Sequence, residues 1–251
     1  MSKIIKFWKA GIGLVLMAFR IRFFNPERIF DGKRIAIVGP ADSAYDEMKG
    51  VYIDQFDLVI RINKAITTWK PENEKYIGTK TDVLVHCFLE GDSIGGGPLD
   101  FDFFKKHKIK YILNPKNHFA YYRHIFNAYK KYLTTSKIYI LPKNKFNDCE
   151  ILFKDSNNHG RGATTGFRTL FMVLSSKPKE VYITGFTFFK TPYADGYRDQ
   201  LKDTTVNLEH MKKRGAHDPD FEYSLFIELL KNSTCNVILD SKLKSIVENK
   251  N

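Results

Sequence analysis

A chain of 251 residues, 43% hydrophobic and 27% charged, has apolar matter for one sizeable α/β domain and is too hydrophobic for a disordered protein. Its formal net charge of +12 implies an anionic partner: a nucleotide, a phosphate-bearing substrate, nucleic acid or an acidic membrane surface. Three widely spaced cysteines, Cys87, Cys149 and Cys235, exclude a disulfide framework or a zinc knuckle and favour a reducing compartment.

Residues 1–25 form an N-terminal segment of their own kind. Its uncharged stretch, Ala10 to Phe19, is about half as long as a membrane-spanning helix requires. On a helix, Lys6, Lys9 and Arg20 fall on one side and Trp8, Ile12, Val15 and Phe19 on another. The segment is expected to lie as an amphipathic helix in the surface of an anionic leaflet, a peripheral anchor for a domain over residues 26–251. A helix packed on that domain is the competing reading, and no small-residue cleavage site marks a signal peptide.

After Asn25-Pro26, the runs Arg34–Gly39, Leu58–Asn63, Thr81–Cys87, Lys108–Leu113, Ile138–Leu141, Glu180–Phe186 and Asn236–Leu239 read as buried strands of a parallel sheet. Residues His118–Leu133 and Phe167–Leu174 between them read as helices. Ligands of open parallel sheets bind beyond the carboxyl ends of strands, which places Gly39 to Ser43 and Arg61 to Asn63 in the binding region. The GxGxxG dinucleotide pattern is absent. The loop Glu90 to Pro98 carries three consecutive glycines and is expected to move.

Gly160-Arg161-Gly162-Ala163-Thr164-Thr165-Gly166 opens the helix at Phe167. A small, hydroxyl-bearing turn at a helix start presents free N–H groups and the positive dipole end, a natural phosphate site. It lacks the lysine and the spacing of a P-loop, so ATP hydrolysis is not expected. Beyond Gly185-Phe186, the tyrosine-containing loop Pro192–Asp203 suits a lid. Then comes Arg214-Gly215-Ala216-His217-Asp218-Pro219-Asp220-Phe221-Glu222. Asp218 or Asp220 would cap the following helix, with Pro219 at or near its first position. His217 is thereby set on a loop ahead of the helix, where an imidazole titrating near neutrality suits a general base.

Together these stretches resemble glycosyltransferase family 29, the sialyltransferases. The long motif is matched by Val38-Gly39, Ile53-Asp54 and Asp57-Leu58-Val59-Ile60-Arg61-Ile62-Asn63. The short motif is matched by Thr164-Thr165-Gly166 through Gly185-Phe186, and the last by His217-Asp218-Pro219-Asp220-Phe221-Glu222; the resemblance spans roughly residues 33–240. It implies one Rossmann-like α/β domain, a mostly parallel sheet flanked by helices in the GT-A-variant sialyltransferase arrangement. It also implies a CMP-activated 2-keto sugar acid as donor, inversion at the anomeric carbon and a glycan or glycolipid acceptor, with no cofactor and no metal.

On this resemblance His217 is the catalytic base. Gly39, Ser43, Asn63, Thr164, Thr165, Gly166 and Gly185 bind the CMP portion of the donor. Glu222 orients the histidine loop through backbone N–H groups, and Arg61 or Arg168 attracts the sugar carboxylate or phosphate, with a structural ion pair the rival role for Arg61. Departures from the family pattern have consequences. Its Asn-Ser-Gly-Asn loop is Pro40-Ala41-Asp42-Ser43 here, and its bridging cysteines are absent, which fits a cytoplasmic bacterial protein at the inner face of the membrane. Its third-motif histidine is missing, so Tyr193 or Tyr197 is expected to touch the departing phosphate. A similar layout in family 42 sialyltransferases and Kdo transferases makes CMP-Kdo the alternative donor, in lipopolysaccharide or capsule assembly. A nucleic-acid-binding protein is the alternative of another class; no recognisable motif supports it, and the basic residues are dispersed.

Overall fold

The computed structural model describes residues 3–91, 95–154, 162–215 and 217–249, and of Lys212 and Arg214 the backbone alone. Residues 92–94, Gly160-Arg161 and Ala216, all within stretches singled out above, lie outside the described residues. The β-branched runs pair into one eight-stranded sheet, β1 (Ile21–Phe23), β2 (Arg34–Val38), β3 (Leu58–Ile62), β4 (Val83–Val85), β5 (Tyr111–Asn114), β6 (Ile138–Ile140), β7 (Glu180–Thr184) and β8 (Asn236–Leu239). The order is β1-β6-β5-β4-β3-β2-β7-β8, and every pair is parallel. Strands covered on both faces need no polar alternation, so Leu58 to Ile62 is buried at every position, Arg61 included.

Helices α1 (Lys3–Arg20), α2 (Pro26–Phe30), α3 (Gly50–Asp54), α4 (Glu74–Ile77), α5 (Phe101–Lys106) and α6 (Phe119–Tyr132) come before β6. Helices α7 (Lys143–Lys154), α8 (Thr165–Leu174), α9 (Thr204–Arg214), α10 (Pro219–Asn232) and α11 (Ser241–Glu248) come after it. Phe167 and Leu170 of α8 and Phe226 of α10 pack on Ile35, Ile37, Ile60 and Ile183 of the sheet. The opposite face holds Ile53, Phe56 and Ile77 against Ala36, Val38 and Val59. Farther along, Phe104 of α5 and Ile125 and Tyr129 of α6 cover Leu84, Ile112 and Ile138. From β2 the chain steps outward to β6, then crosses back to place β7 on the other side of β2. That reversal opens a crevice at the carboxyl ends of β2 and β7.

The division at residue 25 is corrected by the sheet. Residues 21–23 pair in register with Ile138 to Ile140 as an edge strand, and α1 packs on α6, with Gly13 against the backbone of Lys130. The change of pattern at Asn25-Pro26 marks a helix start instead: Asn25 caps α2 by accepting from Arg28 N, and Pro26 opens it. Helix α1 rests on the domain through Gly13, Leu16 and Met17 and turns Ile4, Phe7, Trp8, Leu14, Val15 and Phe19 outward, with Phe7 82% and Trp8 69% exposed. Among the described residues no helix is long and apolar enough to cross a membrane.

Candidate active site

At the carboxyl edge of the sheet lies a cavity of about 210 Å³. Asn63 enters from the end of β3, Gly185 from β7, Thr164 to Gly166 from the start of α8, Tyr193, Tyr197 and Arg198 from the loop after β7, and His217 and Glu222 from the start of α10.

One wall is made of helix ends. Thr164 caps α8: its Oγ1 accepts from Phe167 N at 3.0 Å, and its carbonyl takes the N–H of Arg168. The N–H groups of Thr165 and Gly166, which helix geometry leaves without an acceptor, make no hydrogen bond among the described residues. Asp218 caps α10 by accepting from Phe221 N, with Pro219 at the first position. The cap sets His217 outside the helix, with Nδ1 2.6 Å from the carbonyl oxygen of Gly162. A carbonyl only accepts, so Nδ1 carries the proton and Nε2 the lone pair, the tautomer a base requires.

Glu222 reaches back from the first turn of α10 to the cap of α8. Its Oε1 accepts from Thr164 N at 2.6 Å and its Oε2 from Thr164 Oγ1 at 2.7 Å. The side chain is buried, and burial pushes its carboxyl up to about 7, against the pull of the Thr164 hydrogen bonds and the Arg168 charge. Arg168 lies behind the turn: its Nε donates to Ala163 O at 3.2 Å and its guanidinium pairs with Glu150 at 2.5 Å.

The facing wall is aromatic. Tyr193 and Tyr197 lie with ring centroids 5.0 Å apart and planes tilted by 36°. Burial raises both phenols above their ordinary range, with the Asn63 side chain beside Tyr197 and the Arg198 guanidinium 5.9 Å from the centre of the Tyr193 ring. Asn63 adopts a left-handed conformation, φ 52°, tolerable for asparagine, and its Oδ1 accepts from Cys87 N at 3.0 Å. The loop is tied down where Ala41 bridges Tyr193, Ala194 N donates to Pro40 O, and Thr191 Oγ1 donates to Asp42 at 2.6 Å.

The family model for glycosyltransferase family 29 (sialyltransferase) matches residues 25–234. The chain belongs to that family. The fold is similar to that of the sialyltransferase Cst-I from Campylobacter jejuni, with a TM-score of 0.54 at 13% identity over 85% of this chain and 78% of that one. CstII from Campylobacter jejuni, in complex with cytidine-5'-monophosphate, gives a TM-score of 0.53 at 14% identity over 86% of this chain and 83% of that one. A mammalian sialyltransferase gives 0.51 at 15% identity over 95% and 86%. No curated protein matches the chain in sequence.

In this family 29 chain the predicted residues divide. His217, Asn63, Thr164, Thr165, Gly166, Gly185, Tyr193, Tyr197 and Glu222 meet at the cleft; Gly39 and Ser43 do not line it. A Cβ on Gly39 would lie 2.3 Å from Gly185 O, so Gly39 serves the close approach of the β2 and β7 ends. Ser43 belongs to a 3-10 turn that carries its side chain inward, where its Oγ has no partner among the described residues. Glu222 holds the cap of α8 rather than the N–H groups of the histidine loop.

Neither arginine proposed for the donor lines the cleft. Arg61 is buried and donates to the carbonyls of Ile77, Gly78 and Lys80 and to Thr81 Oγ1, tying β3 to the residues that lead into β4; burial holds it down at about 10. The sequence reading passed over Arg198, a residue only 6% exposed that lines the cleft with its guanidinium near the Tyr193 ring. Its place beside Tyr197, in the segment standing for the third motif, was the available signal. Lys116, beyond the end of β5, adds a second cation at the far side, 3.0 Å from the Tyr121 hydroxyl.

Proposed function

We propose that the protein transfers a sialic acid, or a related 2-keto sugar acid, from a CMP-activated donor to a hydroxyl of a glycan or glycolipid acceptor. The observation that carries this reading is the pairing of His217, fixed through Nδ1 on Gly162 O, with the open N–H groups of Thr165 and Gly166 in one cleft. The nucleotide held by the structural neighbour CstII supports CMP as the donor's leaving group. The acceptor hydroxyl oxygen attacks the anomeric carbon while its proton passes to His217 Nε2. The bond from that carbon to the phosphate oxygen breaks on the opposite face, with inversion, and CMP departs with the electron pair. The N–H groups of the α8 start and the Arg198 guanidinium answer the charge on the phosphate, so the scheme calls for no metal. Asn63 and Tyr197 contact the nucleotide.

The test is release of CMP from CMP-Neu5Ac and, separately, from CMP-Kdo in the presence of acceptor glycans. Release from the first sustains the reading; release from CMP-Kdo alone transfers the assignment to a Kdo transferase, and release from neither overturns it.

Helix α1 is part of the same proposal: its outward apolar face, flanked by Lys3, Lys6 and Arg22, seats the enzyme on an anionic membrane surface on the cytoplasmic side. Phe7→Ser with Trp8→Ser is expected to abolish sedimentation with phosphatidylserine vesicles and leave CMP binding intact. Undiminished sedimentation would refute the seat.

A further inference from the structure

We infer that Glu222 couples donor binding to proton uptake, a positioning residue acting through Thr164 whose carboxyl takes up a proton when a phosphate settles on the start of α8. The inference rests on the reading that CMP binds there. Both oxygens of the Glu222 carboxyl are engaged by one residue, Thr164, whose Oγ1 in turn accepts from Phe167 N. With Glu222 ionised, the Thr164 hydroxyl hydrogen is committed to Oε2, and a negative charge lies directly beneath the turn that is to receive an anion. With Glu222 protonated on Oε2, that O–H donates to Thr164 Oγ1 instead. The charge is then gone, and the threonine's own hydrogen is released as a further donor at the cleft. Both changes favour an anion, and linkage is reciprocal: whatever strengthens phosphate binding on protonation makes phosphate binding draw a proton in.

The surroundings keep this equilibrium near neutrality. Glu222 is 2% exposed, and burial raises its carboxyl to about 7. Arg168 of α8 favours the ionised form but is itself paired with Glu150 of α7, and Asp218 of α10 opposes ionisation. Cys149 of α7 and Tyr193 of the facing loop also feel the Glu222 charge, and burial keeps both neutral. Among the described residues lining the cleft, His217, on the other end of the same motif, is the further group able to take the proton.

Calorimetric titration of CMP in two buffers of different ionisation enthalpy reads the proton directly. The wild-type protein is expected to take up roughly half a proton at pH 7. Its CMP affinity should fall roughly 3–10-fold between pH 7 and 8.5, where the nucleotide phosphate, with its pKa of about 6, is already ionised. His217→Gln should retain the uptake. Glu222→Gln should lose it, with a donor KM that no longer changes over this range while the acidic limb of kcat, set by His217, remains. If Glu222→Gln does not fold, His217→Gln decides alone: loss of uptake there assigns the proton to the histidine and overturns the inference, and retention supports it. Glu222→Gln with the wild-type pH dependence also overturns it. CMP bound without proton uptake defeats this inference and leaves the proposed function standing; no CMP binding defeats both.

Discussion

Where the α8–α10 wall of the cleft is held by capped helix ends, the facing wall is a loop held at its hem. On the first, Thr164 and Asp218 cap their helices, and His217 and Glu222 grip Gly162 and Thr164 of one short strap between them. On the second, Phe188 and Phe189 are both in the left-handed region, φ 51° and 62°, and the loop meets the sheet edge through the Ala41–Tyr193 bridge and its neighbours. Two successive non-glycine residues in that region are a strained entry, sustained by Phe188 packing on Tyr223 and Phe226. On the proposed function the difference is a division of labour: proton transfer, which demands a fixed distance, falls to the cross-linked wall, and the loop wall adds contacts to the nucleotide, which tolerate more play.

The division breaks if the rigid wall turns out not to carry the chemistry. His217→Ala is expected to lower turnover roughly 10²–10⁴-fold and to leave CMP affinity nearly unchanged. Steady-state rates with calorimetric binding decide it, and near wild-type turnover would move the base to the other wall.

The buried carboxyl gives the next largest effect, in stability. Its folded-state value of about 7 lies above the ordinary 4.5, so the folded protein keeps a proton that the unfolded chain gives up. Stability therefore falls as pH rises from about 4.5 to about 7 and is level above that, by on the order of 3 kcal/mol at most. Urea denaturation across pH should show this slope in the wild type and flatten in Glu222→Gln.

Thr164→Val, which removes the α8 cap and a donor to Glu222, should cost about 1–2 kcal/mol in the same assay and weaken CMP binding as well. Smallest is Tyr197→Phe on the loop wall. Losing the hydroxyl beside the Asn63 side chain should weaken CMP binding only a few-fold, about 1 kcal/mol, with stability barely changed. A larger effect than that of Thr164→Val would reverse the ranking of the two walls.

Much of this was legible in the chain. Strands buried on both faces are written as unbroken apolar runs, so Ile35 to Val38, Leu58 to Ile62 and Val181 to Ile183 stood out. The Asp218-Pro219 start of α10 placed His217 on its loop. Edge strand β1 did not stand out, because Ile21-Arg22-Phe23 is three residues long with a charge in the middle and follows α1 without a break. Ser43 looked like part of a ligand loop until a 3-10 turn carried it inward. The bond from Glu222 to Thr164 joins residues 58 apart. No periodicity encodes such a contact; it exists only once α8 and α10 are stacked on the sheet. Arg198 reaches the cleft for a similar reason, through a loop path that local pattern does not fix.

The edge position of β1 also bears on how the protein is made. Ile21 pairs with Ile138, and α1 rests on Lys130, so these two elements are synthesised well before the partners on which they pack. At a synthesis rate of roughly 5–20 residues per second that interval is on the order of 10 s, long compared with the roughly microsecond in which a helix forms. Throughout it Leu16 and Met17, which the fold packs against α6, lack that cover, while Phe7, Trp8 and Phe19 face outward before and after.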